Sequence, residues 1–177
     1  MKKIFINIGL IVIGFIICFL QSNFFNWFTI SGVKPNLFVI YVLFVGLFGS
    51  RSMGIIYGAI VGIILDFIFE EKIGPYLLGL VLVGIIATFF DKNFSKDSRI
   101  TIMFMVFGTT IIFEIFSFFI NFILYNVNVE ILNLIKILIL EVIYNIIITI
   151  ILYPLMQKFG YYIENEYKGN KILTRYF

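Results

Sequence analysis

The chain has 177 residues, of which 62% are hydrophobic and 13% charged, with a net charge of +3 and a mean hydropathy of +1.10. Soluble domains run near about 45–50% apolar and about 25% charged, and one this small cannot bury so much apolar side chain. That excludes a soluble globular domain, a disordered chain and a secreted disulfide scaffold, and leaves an integral membrane protein.

Apolar runs without two-residue alternation argue for helices rather than a barrel. Six are expected, within a transmembrane domain over residues 1–156. The first covers about Ile4–Leu20, and no small-x-small cleavage site follows it. A polar segment with Trp27, Gln21–Lys34, suits a membrane interface. The second helix covers about Pro35–Phe48 and the third about Met53–Phe69, joined by the turn Gly49-Ser50-Arg51-Ser52. Both are short and Gly-rich, so full crossing stays open for this pair. The fourth covers about Ile73–Phe90 and ends in a charged loop, Asp91–Arg99. The fifth covers about Ile100–Tyr125, then a polar loop, Asn126–Asn133. The sixth covers about Leu134–Met156, and Gln157–Phe177 forms a short basic tail.

Lys and Arg set the orientation. With the N-terminus inside, ten of the 13 basic residues are cytoplasmic and only Lys34, Lys72 and Lys136 are outside. Six crossings with both termini cytoplasmic fit this split, whereas five would put the tail outside. Topology accounts for the basic tail, so no nucleic-acid partner is expected; the bilayer is.

The third helix carries Gly54, Gly58, Gly62 and Asp66 at spacings of four, on one face. Glycines there let another helix approach closely. Asp66 must face the bundle and needs a partner or a proton, because a carboxylate in the bilayer costs about 2.5–3.5 kcal/mol on insertion scales. The fifth helix bears the polar stripe Thr110, Glu114, Ser117, Asn121, and the sixth bears Glu141, Asn145, Thr149. A weaker stripe, Asn7, Gly14, Cys18, Gln21, marks the first. At about 1.5 Å per residue, Asp66, Glu114 and Glu141 all lie about 20 Å above the inner boundary of a core of about 30 Å. The expectation is one shared polar region. It could be internal glue, a docking site for a partner helix, or a cation or proton site.

Nothing here supports catalysis. Without histidine there is no Ser-His or Cys-His pair, and Cys18 sits in an apolar helix. One cysteine makes no soft metal site. Asp66 is the one membrane-embedded aspartate, and Asp91 and Asp97 read as solvated loop residues. No cofactor is expected.

The sequence resembles the rod shape-determining protein MreD family. Lys34-Pro35-Asn36-Leu37 opens the second helix as the family's Pro-Asp-Leu start does, with Asn36 where Asp is common. The run Gly58-x-x-x-Gly62-x-x-x-Asp66 is followed by Gly74 and Leu77-Leu78-Gly79. Asn145 is followed by Tyr153-Pro154-Leu155. The likeness covers nearly the whole chain. It implies a non-catalytic scaffold of bacterial cell-wall elongation in the cytoplasmic membrane. The implied partners are an MreC-like bitopic protein, the actin-like MreB, and RodA with its penicillin-binding transpeptidase. It also implies a fold similar to the S-components of ECF vitamin transporters. Pro35, Gly58, Gly62, Asp66, Asn145 and Pro154 would be structural or partner-contact positions, joined on the residue reading by Gly54, Glu114 and Glu141. An S-component is the rival, but its Ala-x-x-x-Ala docking motif is missing from the first helix. Asp66→Ala is expected to weaken folding or assembly more than Glu164→Ala.

Overall fold

A computed structural model describes residues 1–125 and 130–169. Part of the expected 126–133 loop and the end of the tail, with Lys171 and Arg175, lie outside the described residues. Among the described residues six α-helices follow one another: α1 (Lys2–Ser22), α2 (Leu37–Phe48), α3 (Met53–Phe69), α4 (Pro75–Asn93), α5 (Arg99–Tyr125) and α6 (Ile131–Lys168). A 3-10 turn at Phe24–Asn26 extends α1. There are no strands among the described residues, and a lone bridge pairs Ile30 with Val33. Lys2–Asn26, α4, α5 and α6 are long and apolar enough to cross a bilayer, while α2 and α3 are shorter apolar helices.

All twelve residues of α2 are buried. It is apolar all round, as a core helix must be, and the other helices pack about it. Such a helix has a specific difficulty. Its terminal N–H and C=O groups have no intrahelical partner and no water to take their place. Neighbouring side chains supply the partners. At the N-terminal end, Asn36 Oδ1 accepts from Val39 N at 3.3 Å and Gln21 Oε1 accepts from Leu37 N at 3.2 Å. Asn145 Oδ1 accepts from Asn36 N at 2.8 Å. At the C-terminal end, Lys96 and Lys168 both donate to Leu47 O, at 2.9 and 2.8 Å. Cations also suit that end of the helix dipole.

Those two lysines belong to an ion-pair cluster. Lys96 Nζ meets Asp91 at 2.7 Å and Glu164 at 2.6 Å, and Lys168 Nζ meets Asp91 at 2.7 Å. Lys96 is only 2% exposed and lies over the Phe48 ring. Asp91, expected to be solvated, is thus part of a half-buried network joining α2, α4 and α6.

The α3 glycines bring backbones together. A Cβ on Gly58 would stand 2.4 Å from Leu80 O, and one on Gly62 2.5 Å from Leu77 Cα, both on α4. Gly54 meets Gly46 of α2 and Gly84 of α4, so three helices cross at three glycines. The partner of the Gly-x-x-x-Gly face is therefore inside the chain.

Helix α6 runs twelve residues past the expected end at Met156. Its stripe of Tyr153, Met156, Gly160 and Ile163 stays buried. Gly160 lies against the Phe48 ring, which Tyr161 meets edge-on at 5.8 Å. Pro154 sits within this helix, exposed, and does not end it.

Candidate functional site: a polar chamber at one end of the bundle

Helices α1, α3 and α5 finish, and α2, α4 and α6 begin, at one end of the molecule. Between them lies a chamber of about 250 Å³ lined by Gln21, Lys34, Pro35, Asn36, Glu70, Tyr76, Glu114, Ser117, Asn121 and Glu141, among others. The stripes of α5 and α6 put these groups there. Glu114, Ser117 and Asn121 recur at three and four residues along α5, and Glu141 leads Asn145 and Thr149 on α6. Asn145 and Thr149 are buried behind it, and Asn145 Nδ2 donates to Thr110 Oγ1 at 3.0 Å.

The carboxyl groups of Glu114 and Glu141 lie close enough to interact, and the Asn36 side chain lies near Glu141. Three buried side-chain oxygens among the described residues have no hydrogen-bond partner: Ser117 Oγ, Asn121 Oδ1 and Glu141 Oε1. All three belong to residues of the chamber wall. Glu141 as a whole is only 7% exposed. Buried acceptors are ordinarily satisfied, so their concentration in one chamber marks it out from the rest of the bundle.

Asp66 behaves differently. It is 1% exposed, and its carboxylate accepts from the backbone N–H groups of Gly74, Tyr76 and Leu77 at 2.8, 2.8 and 3.1 Å. It therefore satisfies the orphan donors at the start of α4. Asp66 does not line the chamber. It stands behind the wall that Tyr76 forms, and Glu70, Glu114, Glu141 and Asp66 all lie within electrostatic reach of the Tyr76 hydroxyl. The structure thus brings Glu114 and Glu141 together and sets Asp66 beside them as a cap.

The remaining expected positions divide by place. Pro35 is on the chamber wall, and its carbonyl accepts from Gln21 Nε2 at 2.6 Å. Gly54, Gly58 and Gly62 lie in the α2–α3–α4 contact. Pro154 is toward the other end of α6, where neighbouring Tyr153 donates to Asp97 O at 2.9 Å. The ion-pair roles of Lys96 and Glu164 are not visible in the sequence, since a lysine in a charged loop and a glutamate in a polar tail look solvated. Among the described residues no group of three or more His, Cys, Asp or Glu is placed to hold a metal ion.

No curated protein sequence and no solved structure matches the chain. The sequence profile of the rod shape-determining protein MreD family matches residues 3–163, which takes in all the glycines of α3, Asp66, the chamber and most of α6. With that much of its length matched, the chain belongs to the MreD family of rod shape-determining membrane proteins.

Proposed function

We propose that the chain is a non-catalytic scaffold of the bacterial cell-wall elongation complex. It holds an MreC-like bitopic protein and links MreB to RodA and the penicillin-binding transpeptidase. It lies in the cytoplasmic membrane with both termini inside and the end of the chain past Met156 on the cytoskeletal side. The observation that carries this reading is the family match over residues 3–163. The geometry is consistent with it. Gly54, Gly58, Gly62, Asp66 and Asn145 act inside the bundle, closing helices on one another. Pro35, Glu114 and Glu141 surround the chamber, and Pro154 faces outward on α6. Exposed apolar side chains along α1, among them Phe5, Ile8, Phe15 and Phe19, leave a long face for lipid or a partner's transmembrane helix.

The rival reading is the substrate-binding subunit of an ECF-type vitamin transporter, and the chamber is what favours it. Its volume of about 250 Å³ is below the about 300–1,000 Å³ of typical small-molecule sites. Co-purification of the tagged full chain from native membranes, with mass spectrometry of what comes with it, separates the two. An MreC-like protein and wall synthases are expected. Recovery of paired ATPases and a coupling subunit instead would replace the scaffold reading.

A further inference from the structure

A second concavity lies beside the chamber. An open groove of about 560 Å³ runs between the ends of α3 and α5, floored by Phe69, Phe118, Phe122 and Tyr125. Phe69, Glu70 and Asn121 line both spaces, so the groove and the chamber adjoin across these three side chains. Phe69 and Phe122 are exposed on the surface of the bundle. An apolar trough that adjoins a polar, acid-lined chamber has the shape of an amphiphile, tail outward and head inward.

The chemistry of the chamber narrows the head group. Its wall holds three carboxyl groups, Glu70, Glu114 and Glu141, and one cation, Lys34. Ser117 Oγ, Asn121 Oδ1 and Glu141 Oε1 are buried acceptors without a partner. A primary ammonium brings three N–H donors and no acceptor, the complement of such a wall, and charge-assisted bonds are the strong ones. Size argues against a bare ion. At about 30 Å³ per water, the chamber has the volume of about eight waters. Lys34 on the same wall gives a counter-charge for a phosphate. We propose that the groove and chamber together hold one phospholipid with a primary-ammonium head group. The ammonium lies toward Glu114 and Glu141, the phosphate toward Lys34, and an acyl chain along Phe69, Phe118 and Phe122.

This inference is independent of the scaffold reading, since a lipid site would serve a scaffold or a transporter alike. The test is native mass spectrometry of the purified full chain. It is mixed in detergent with phosphatidylethanolamine, phosphatidylglycerol and phosphatidylcholine of identical acyl chains. The ethanolamine lipid should be retained about tenfold over the other two, the difference that one charge-assisted bond makes. Glu114→Gln and Glu141→Gln should abolish the preference while the protein still elutes as a single species. Asn121→Leu gives a second route if those variants fail to fold, because its Oδ1 has no partner in the protein to lose. Equal retention of the three lipids by the wild-type chain overturns the proposal. So does a head-group preference that survives in the folded variants.

Discussion

Asp66 takes a carboxylate into the end of an apolar helix, and three N–H groups at the start of α4, that of its N-cap Gly74 included, hold it there. Asp66→Ala leaves those donors buried and unpaired, and is expected to cost about 2–4 kcal/mol. Asp66→Asn keeps acceptor oxygen in place and should cost less. Thermal unfolding of the purified variants in one detergent measures both. Lys96 offers the sharper contrast. Lys96→Met strips one of two donors from Leu47 O and leaves Asp91 and Glu164 with Lys168 alone, for an expected loss of about 3 kcal/mol. Exposed Lys92, four residues earlier, should tolerate the same change within about 0.5 kcal/mol. The sequence shows that Asp66 needs a partner, because its neighbours are apolar. It shows no difference between Lys92 and Lys96, because what buries Lys96 is a ring and a carbonyl of α2 some fifty residues away. Glu164→Ala is for the same reason not a silent comparison for Asp66→Ala.

At the scale of the element, the α3 glycines were readable from their spacing, but their partner was not. The same Gly-x-x-x-Gly pattern serves association with another chain as well as packing inside one. Here α4 occupies the face. Gly58→Ala and Gly62→Ala would drive a Cβ against main-chain atoms of α4, which cannot rotate aside, and each should cost at least about 1–3 kcal/mol. Gly9→Ala and Gly108→Ala meet nothing within 4 Å and should be neutral or slightly stabilising. Melting temperatures of the four variants check this pairwise. The extension of α6 had a signal too. Tyr153, Met156, Gly160, Ile163 and Tyr167 recur at helical spacing, but Pro154 and the charges after Met156 read as a terminus. The chamber was legible in its parts, as polar stripes on α5 and α6. Its third acid was displaced because the first turn of α4 required a cap.

For the whole molecule, the governing fact is a buried central helix too short to span. Twelve residues reach about 18 Å against a hydrocarbon core of about 30 Å. Both ends of α2 therefore stop among protein groups, and the bundle must carry polar side chains to meet them. Ending the chain after Met156 removes Glu164, Lys168, the Gly160 contact with Phe48 and the bond from the Tyr167 hydroxyl to Asn7 Oδ1. The shortened protein should still insert but unfold at a clearly lower temperature and spread on size exclusion. An unchanged elution profile and melting point would contradict the structural role assigned to the end of α6.

The Leu47 carbonyl and its Lys168 donor are 121 positions apart. At about 5–20 residues per second, a ribosome delivers the second about 6–24 s after the first. By the end of that interval α2 has left the ribosome, but until then the lysine that completes its C-terminal end does not exist. The nascent protein therefore passes through a stage in which its most central helix is its least finished part. Chains arrested there should be the ones that membrane quality-control proteases remove.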